Sequence, residues 1–174
     1  MAAALAHALG TPRFRMYTSP DVVGAEIGGA VKNVIAIACG IVEGRKLGDN
    51  ARAALITRGL AEMIRLARAK GGLERTLMGL SGLGDLTLTC NAVQSRNFSL
   101  GLALGRDRPL AAILAERTTI AEGVPTASSV MALATRLKVE MPICAAVDAV
   151  INRGVRLDSA IARLLARPVG AEVD

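Results

Sequence analysis

Residues 24–38, Gly-Ala-Glu-Ile-Gly-Gly-Ala-Val-Lys-Asn-Val-Ile-Ala-Ile-Ala, constrain this chain more than any other segment. They open on glycines and continue as a helix that is apolar on nearly every face. Such a helix has no side to give to water, so it must be the core around which other elements pack. Three upstream glycines, Gly24, Gly28 and Gly29, each lower helix propensity by about 1 kcal/mol relative to alanine. Their presence predicts close backbone approach there, by another element or by a ligand. Into this apolar helix the sequence sets Lys32 and Asn33 side by side, with no carboxylate three or four residues away to pair the lysine along the helix. Two readings of Lys32 follow. Either its ammonium meets a partner from elsewhere in the fold, as a proton-transfer lysine does, or its stem is buried and its ammonium reaches water.

Composition removes several functional classes. Only one tyrosine and two phenylalanines occur and no tryptophan, so the core must be aliphatic and stacking platforms for single-stranded nucleic acid are lacking. The net charge of +6 favours an anionic partner, but the basic residues are scattered and no helix-turn-helix or finger pattern appears, so nucleic acid is excluded in favour of a small phosphorylated ligand. Cys39, Cys90 and Cys144 are odd in number and far apart, which predicts reduced thiols and a cytoplasmic location. His7 is the only histidine, so neither a zinc site nor a Ser-His or Cys-His nucleophile is expected. No run of about 18 uncharged apolar residues predicts a membrane span, and residues 1–10 lack the basic stretch of a secretory signal. They read as the tail of an alanine-rich helix.

Along the chain, Arg13 to Thr18 alternates and reads as a short strand, the only convincing one. A lone strand cannot satisfy its own backbone, so it must pair outside this chain or be an edge remnant. Ser19-Pro20-Asp21 predicts a helix start with Ser19 as cap. The Lys32 helix then runs to about Val42. Asp49 or Asn50 caps a long helix, Ala51 to Lys70, with Leu55, Ile56, Leu60, Met63, Ile64 and Ala67 on its apolar face and an Arg58–Glu62 pair on the other. Gly71-Gly72 ends it. Further helices are expected over Leu73–Met78, Asn97–Leu104, Pro109–Glu116, Pro125–Lys138, Pro142–Asn152 and Ser159–Ala166.

Three polar breaks carry candidate chemistry. Residues 79–90 are rich in glycine, but the spacing matches no nucleotide fingerprint and no strand precedes it. Those glycines can present Asp85 from a tight turn, as a partner for an unpaired lysine or simply as the cap of the next short helix. Gln94-Ser95-Arg96-Asn97 opens a helix where free amides, the helix dipole and a guanidinium can converge on a phosphate. An ordinary Ser or Asn cap with a solvated arginine is the alternative. Thr118 to Gly123 is a polar break in which Glu122 either accepts hydrogen bonds from a ribose or amide, or is exposed.

In order and spacing, Gly-Gly-x-x-Lys-Asn, Gly-Leu-Gly-Asp-Leu-x-x-Thr, Ser-Arg-Asn and Glu-Gly resemble the bacterial NAD(P)-dependent glycerol-3-phosphate dehydrogenases. The resemblance runs from about Phe14 to Ile151 and is especially close over residues 33–38 and 54–63. It implies that Lys32 is the catalytic acid/base and that Lys32, Asn33, Asp85, Thr89, Ser95, Arg96 and Asn97 bind substrate. It further implies that Arg96, Ile120 and Glu122 face NAD(P), with no metal. The implied fold is all-α, a multi-helix substrate domain of the 6-phosphogluconate-dehydrogenase C-terminal-like type. A short α/β remnant over residues 1–19 would end a Rossmann domain missing from the sequence, and the substrate domain would occupy residues 20–174. The implied reaction interconverts dihydroxyacetone phosphate and sn-glycerol 3-phosphate for glycerophospholipid synthesis. A non-catalytic helical module for self-association, as a homodimer, or for anion binding is the alternative.

Overall fold

The computed structural model describes residues 1–117 and 119–168. Its helices, in chain order, are α1 (Ala2–Leu9), α2 (Val22–Gly44), α3 (Asp49–Lys70), α4 (Glu74–Leu77), α5 (Asp85–Asn91), α6 (Arg96–Gly105), α7 (Leu110–Ala115), α8 (Gly123–Leu137), α9 (Pro142–Arg153) and α10 (Leu157–Leu165). A π-helical turn, Leu80–Gly84, leads into α5.

The expected core helix is α2. Val31, Val34, Ile35, Ala36, Ile37 and Cys39 are wholly buried, and α3, α5, α6, α8 and α9 all pack against it. It is long and apolar enough to cross a bilayer, but 67% of its apolar window lies inside the protein, so it is a core helix. The closest packing is with α6. A Cβ on Gly40 would meet the carbonyl of Phe98, one on Gly101 the carbonyl of Ile37, and one on Gly105 would stand 2.6 Å from the carbonyl of Ile41. Two glycines four residues apart on each helix, Gly40 and Gly44 against Gly101 and Gly105, therefore let the two backbones touch. This close crossing fixes the start of α6 beside the middle of α2, where Lys32 and Asn33 stand.

Several sequence expectations need correction. Among the described residues no strand ladder forms. Within residues 13–18 only Phe14 pairs, in an isolated bridge with Thr11, and the run has no strand neighbour among the described residues. Residues 1–20 bury nothing, and burial begins at Asp21. Asp21, not Ser19, caps α2. Its carboxylate accepts from Gly24 N at 2.8 Å and, across the fold, from Leu73 N at 2.8 Å. Those amides hold its carboxyl below the usual range. Helix α3 begins at Asp49 itself, after Gly48 at φ 90°, and ends as expected at Gly71 at φ 91°.

Glu62 is the largest surprise. It is not on a solvent face but 1% exposed. Its two oxygens accept from Ile143 N at 2.6 Å and Cys144 N at 3.2 Å, closing the first turn of α9. A helix N-terminus needs such acceptors, and Pro142 at its start leaves the next amides to be satisfied from outside. Burial pushes the Glu62 carboxyl above its ordinary range despite these two donors. Thr118 of the polar break, and the last residues assigned to the substrate domain, lie outside the described residues.

Candidate active site

The glycines ahead of Lys32 divide their work. Gly28 lies against the carbonyl of Ser81 in the π turn, whereas Gly29 has open space where a side chain would be. The first lets the π turn press on α2, and the second clears one wall of a cleft of about 450 Å3.

Lys32 is neither unpaired nor free in water. Its ammonium donates to Asp85 Oδ2, with the two side chains 21% and 35% exposed. Asp85 is the first residue of α5, one past the cap position held by Gly84. The expected tight turn is thus real, and it serves to aim a carboxylate at a lysine on another helix. Gly82 is indispensable to that turn, since a Cβ there would run into the backbone of Leu77. One turn further on, Thr89 donates to the Asp85 carbonyl at 2.6 Å, with the Asp85 carboxylate 3.4 Å from the same hydroxyl.

Asn33 and Asn97 form a relay whose orientation is dictated at both ends. Gly123 N–H can only donate, so it takes Asn97 Oδ1 at 2.9 Å. Asn97 Nδ2 then donates to Asn33 Oδ1 at 2.9 Å, and Asn33 Nδ2 donates to the Gly29 carbonyl at 3.1 Å. Asn97 is only 6% exposed, so this chain of amides ties α2, α6 and the start of α8 together beneath the cleft.

At the mouth of α6, Ser95 is both cap and cleft residue, its hydroxyl accepting from Phe98 N at 3.4 Å. The Arg96 guanidinium donates to Glu122 at 3.2 Å, the two side chains 49% and 61% exposed. Lys32, Asn33, Thr89, Ser95, Arg96, Asn97 and Glu122 all line the one cleft, with Asp85 behind Lys32. Ile120 does not line it and is 74% exposed. Gln94 and Leu88 also line it, and neither was singled out from the sequence for its own side chain. The polar run 94–97 was the signal for Gln94. An exposed leucine on a short helix offers none.

The cleft holds two cations, each answered by one carboxylate, beside the free amides of a helix start. Such a site can seat an anion at Ser95 and Arg96 and exchange a proton at Lys32. The thiols play no part as nucleophiles. The neighbouring Cys39 thiol and burial push Cys90 up, and burial with the Glu62 carboxylate does the same to Cys144. At the rim the Arg96–Glu122 pair is half exposed, and among the described residues no glycine-rich strand–turn–helix forms.

Fold and cleft define the class: an all-α domain around one core helix, with a lysine–carboxylate pair and a helix start facing each other. The family model for the NAD-dependent glycerol-3-phosphate dehydrogenase C-terminus matches residues 21–162. A glycerol-3-phosphate dehydrogenase [NAD(P)+] of Rhodospirillum rubrum is 63% identical over 99% of this chain and 49% of its own length. That of Parvibaculum lavamentivorans is 55% identical over 99% of this chain and 52% of its own. Among solved structures, glycerol-3-phosphate dehydrogenase of Coxiella burnetii superposes with a TM-score of 0.90 at 45% identity, covering 95% of this chain and 51% of that one. The chain belongs to the NAD-dependent glycerol-3-phosphate dehydrogenase family, as its C-terminal domain. It spans about half the length of the curated relatives it matches.

Proposed function

We propose that this chain supplies the substrate-binding and proton-transferring half of an NAD(P)-dependent glycerol-3-phosphate dehydrogenase. The observation that carries the reading is the Lys32–Asp85 pair on one wall of a cleft whose other wall is the start of α6, with Ser95 and Arg96. The phosphate of glycerol 3-phosphate or dihydroxyacetone phosphate sits at the α6 amides, Ser95 and Arg96, where dipole and guanidinium act together. This anchor orients the three-carbon chain toward Lys32. Lys32 gives a proton to the carbonyl oxygen on reduction and takes it from the hydroxyl on oxidation, and Asp85, braced by Thr89, keeps the ammonium aimed. Asn33 and Asn97 offer amide groups on the cleft floor. Arg96, Ile120 and Glu122 face the dinucleotide, and hydride exchange at carbon is the chemistry that NAD(P) supplies when bound.

The reaction would serve glycerophospholipid synthesis in the cytoplasm, a reducing compartment that suits three buried free cysteines. Turnover needs a dinucleotide-binding segment, which these 174 residues do not contain, so the chain by itself should be inactive. Measurable turnover by this polypeptide alone refutes that. In a protein joining it to such a segment, Lys32→Ala should lower kcat by roughly 10²–10⁴-fold, and Arg96→Ala should also raise KM strongly. A Lys32→Ala variant that keeps most of its kcat refutes the assigned role.

A further inference from the structure

Arg117 lies outside every motif discussed so far, in the connector between α7 and α8, and is half-buried. Its guanidinium forks onto the start of α6: Nη1 donates to the Arg96 carbonyl at 2.8 Å and Nη2 to Ser99 Oγ at 3.0 Å. The Ser99 hydroxyl in turn donates to the same Arg96 carbonyl at 3.2 Å. At the far end of the connector, Glu122 holds the Arg96 side chain and Gly123 N–H holds Asn97. Between these ends Ala121 is 1% exposed. The connector is thus fastened to residues 96, 97 and 99 at both ends, and Arg96 is gripped twice, by its backbone and by its guanidinium.

Helix stability does not explain Arg117. A cation at a helix N-terminus opposes the dipole, and carboxylates are the groups favoured there. Burial and the nearby Arg108 both work against its charge. What the arrangement achieves is a fixed backbone under Arg96, held through its carbonyl and Ser99. That fixes the side chain that stands at the helix start, where an anion is favoured.

We propose that Arg117 is a positioning residue for the phosphate subsite: through the Arg96 carbonyl and Ser99 it sets where the Arg96 guanidinium stands. The proposal rests on the reading that this helix start binds the substrate phosphate.

The test is a double-mutant cycle read by calorimetric titration with sn-glycerol 3-phosphate, in the protein that carries this sequence. Arg117→Gln should weaken binding about tenfold, as loss of a charge-assisted fork does. Arg117→Lys should fall between, because an ammonium lacks the planar fork that reaches both acceptors. In an Arg96→Ala background, Arg117→Gln should add less than about twofold, since coupled residues are not additive. A role confined to folding would instead lower affinity equally in both backgrounds, and that result overturns the proposal. Unchanged affinity in both Arg117 variants overturns it too. Wild-type protein that binds no glycerol 3-phosphate overturns the substrate reading itself, and this proposal with it.

Discussion

Removing the Glu62 carboxylate should destabilise the fold more than its place on a long amphipathic helix suggests. The side chain is 1% exposed and satisfies two amides of α9, Ile143 N at 2.6 Å and Cys144 N at 3.2 Å. In Glu62→Ala both donors remain buried without acceptors, at about 1–3 kcal/mol each. Part of that loss is returned, because the variant no longer desolvates a carboxyl group. The net expectation is about 3 kcal/mol, set against a total stability of roughly 5–15 kcal/mol for a domain. Glu62→Gln keeps one acceptor but turns an amide toward the second donor, so it should lose about half as much. Urea denaturation followed by circular dichroism measures both. The pH dependence gives a second check. Burial raises the folded-state pKa of Glu62 above its ordinary 4.5. The folded protein therefore holds this proton more tightly than the unfolded chain, and the gap between wild type and Glu62→Gln should be widest below the ordinary value. It should shrink as pH rises through the folded-state value. A loss below about 0.5 kcal/mol in Glu62→Ala, within the range of ordinary surface substitutions, refutes the capping argument.

Two further outcomes test the packing. Gly101→Ala drives a methyl group into the Ile37 carbonyl where α6 crosses α2. It should cost about 1–3 kcal/mol or more, as overpacking does, and thermal melting would show it; an unchanged Tm sinks the close-crossing account. Asp21→Asn should destabilise at neutral pH, and less so in acid. The Asp21 carboxyl is held below its ordinary 3.8 by the Gly24 amide, the Thr76 hydroxyl and the Leu73 amide, so its stabilisation is present above that value and lost as pH falls through the lower folded one. Urea midpoints for the two proteins that fail to converge at low pH contradict this assignment.

The pairing of Lys32, left open in sequence, came from a distant element. Whether Lys32 met an anion or water depended on Asp85, 53 residues away, and what the Asp85 carboxylate faced depended on Lys32. Neither question has a local answer. Glu62 shows how local rules fail: helix spacing put it on the solvent face, but the unmet amides of α9, some 80 residues on, hold the carboxylate inside. The alternating run at 13–18 has no strand neighbour among the described residues, and without one the pattern gives no ladder.

By itself the sequence determined that α2 is the core, because an apolar helix has nowhere else to go, and it marked helix ends at residues such as Gly71 whose backbone freedom is a local property. It also carried the order of polar segments that now line one cleft. Tertiary structure alone decided which carboxylate answers which cation, that Asn33 and Asn97 join in one relay, and that Arg117 reaches the start of α6. Burial makes an unmet polar group costly, and only the packed fold shows which groups are buried together.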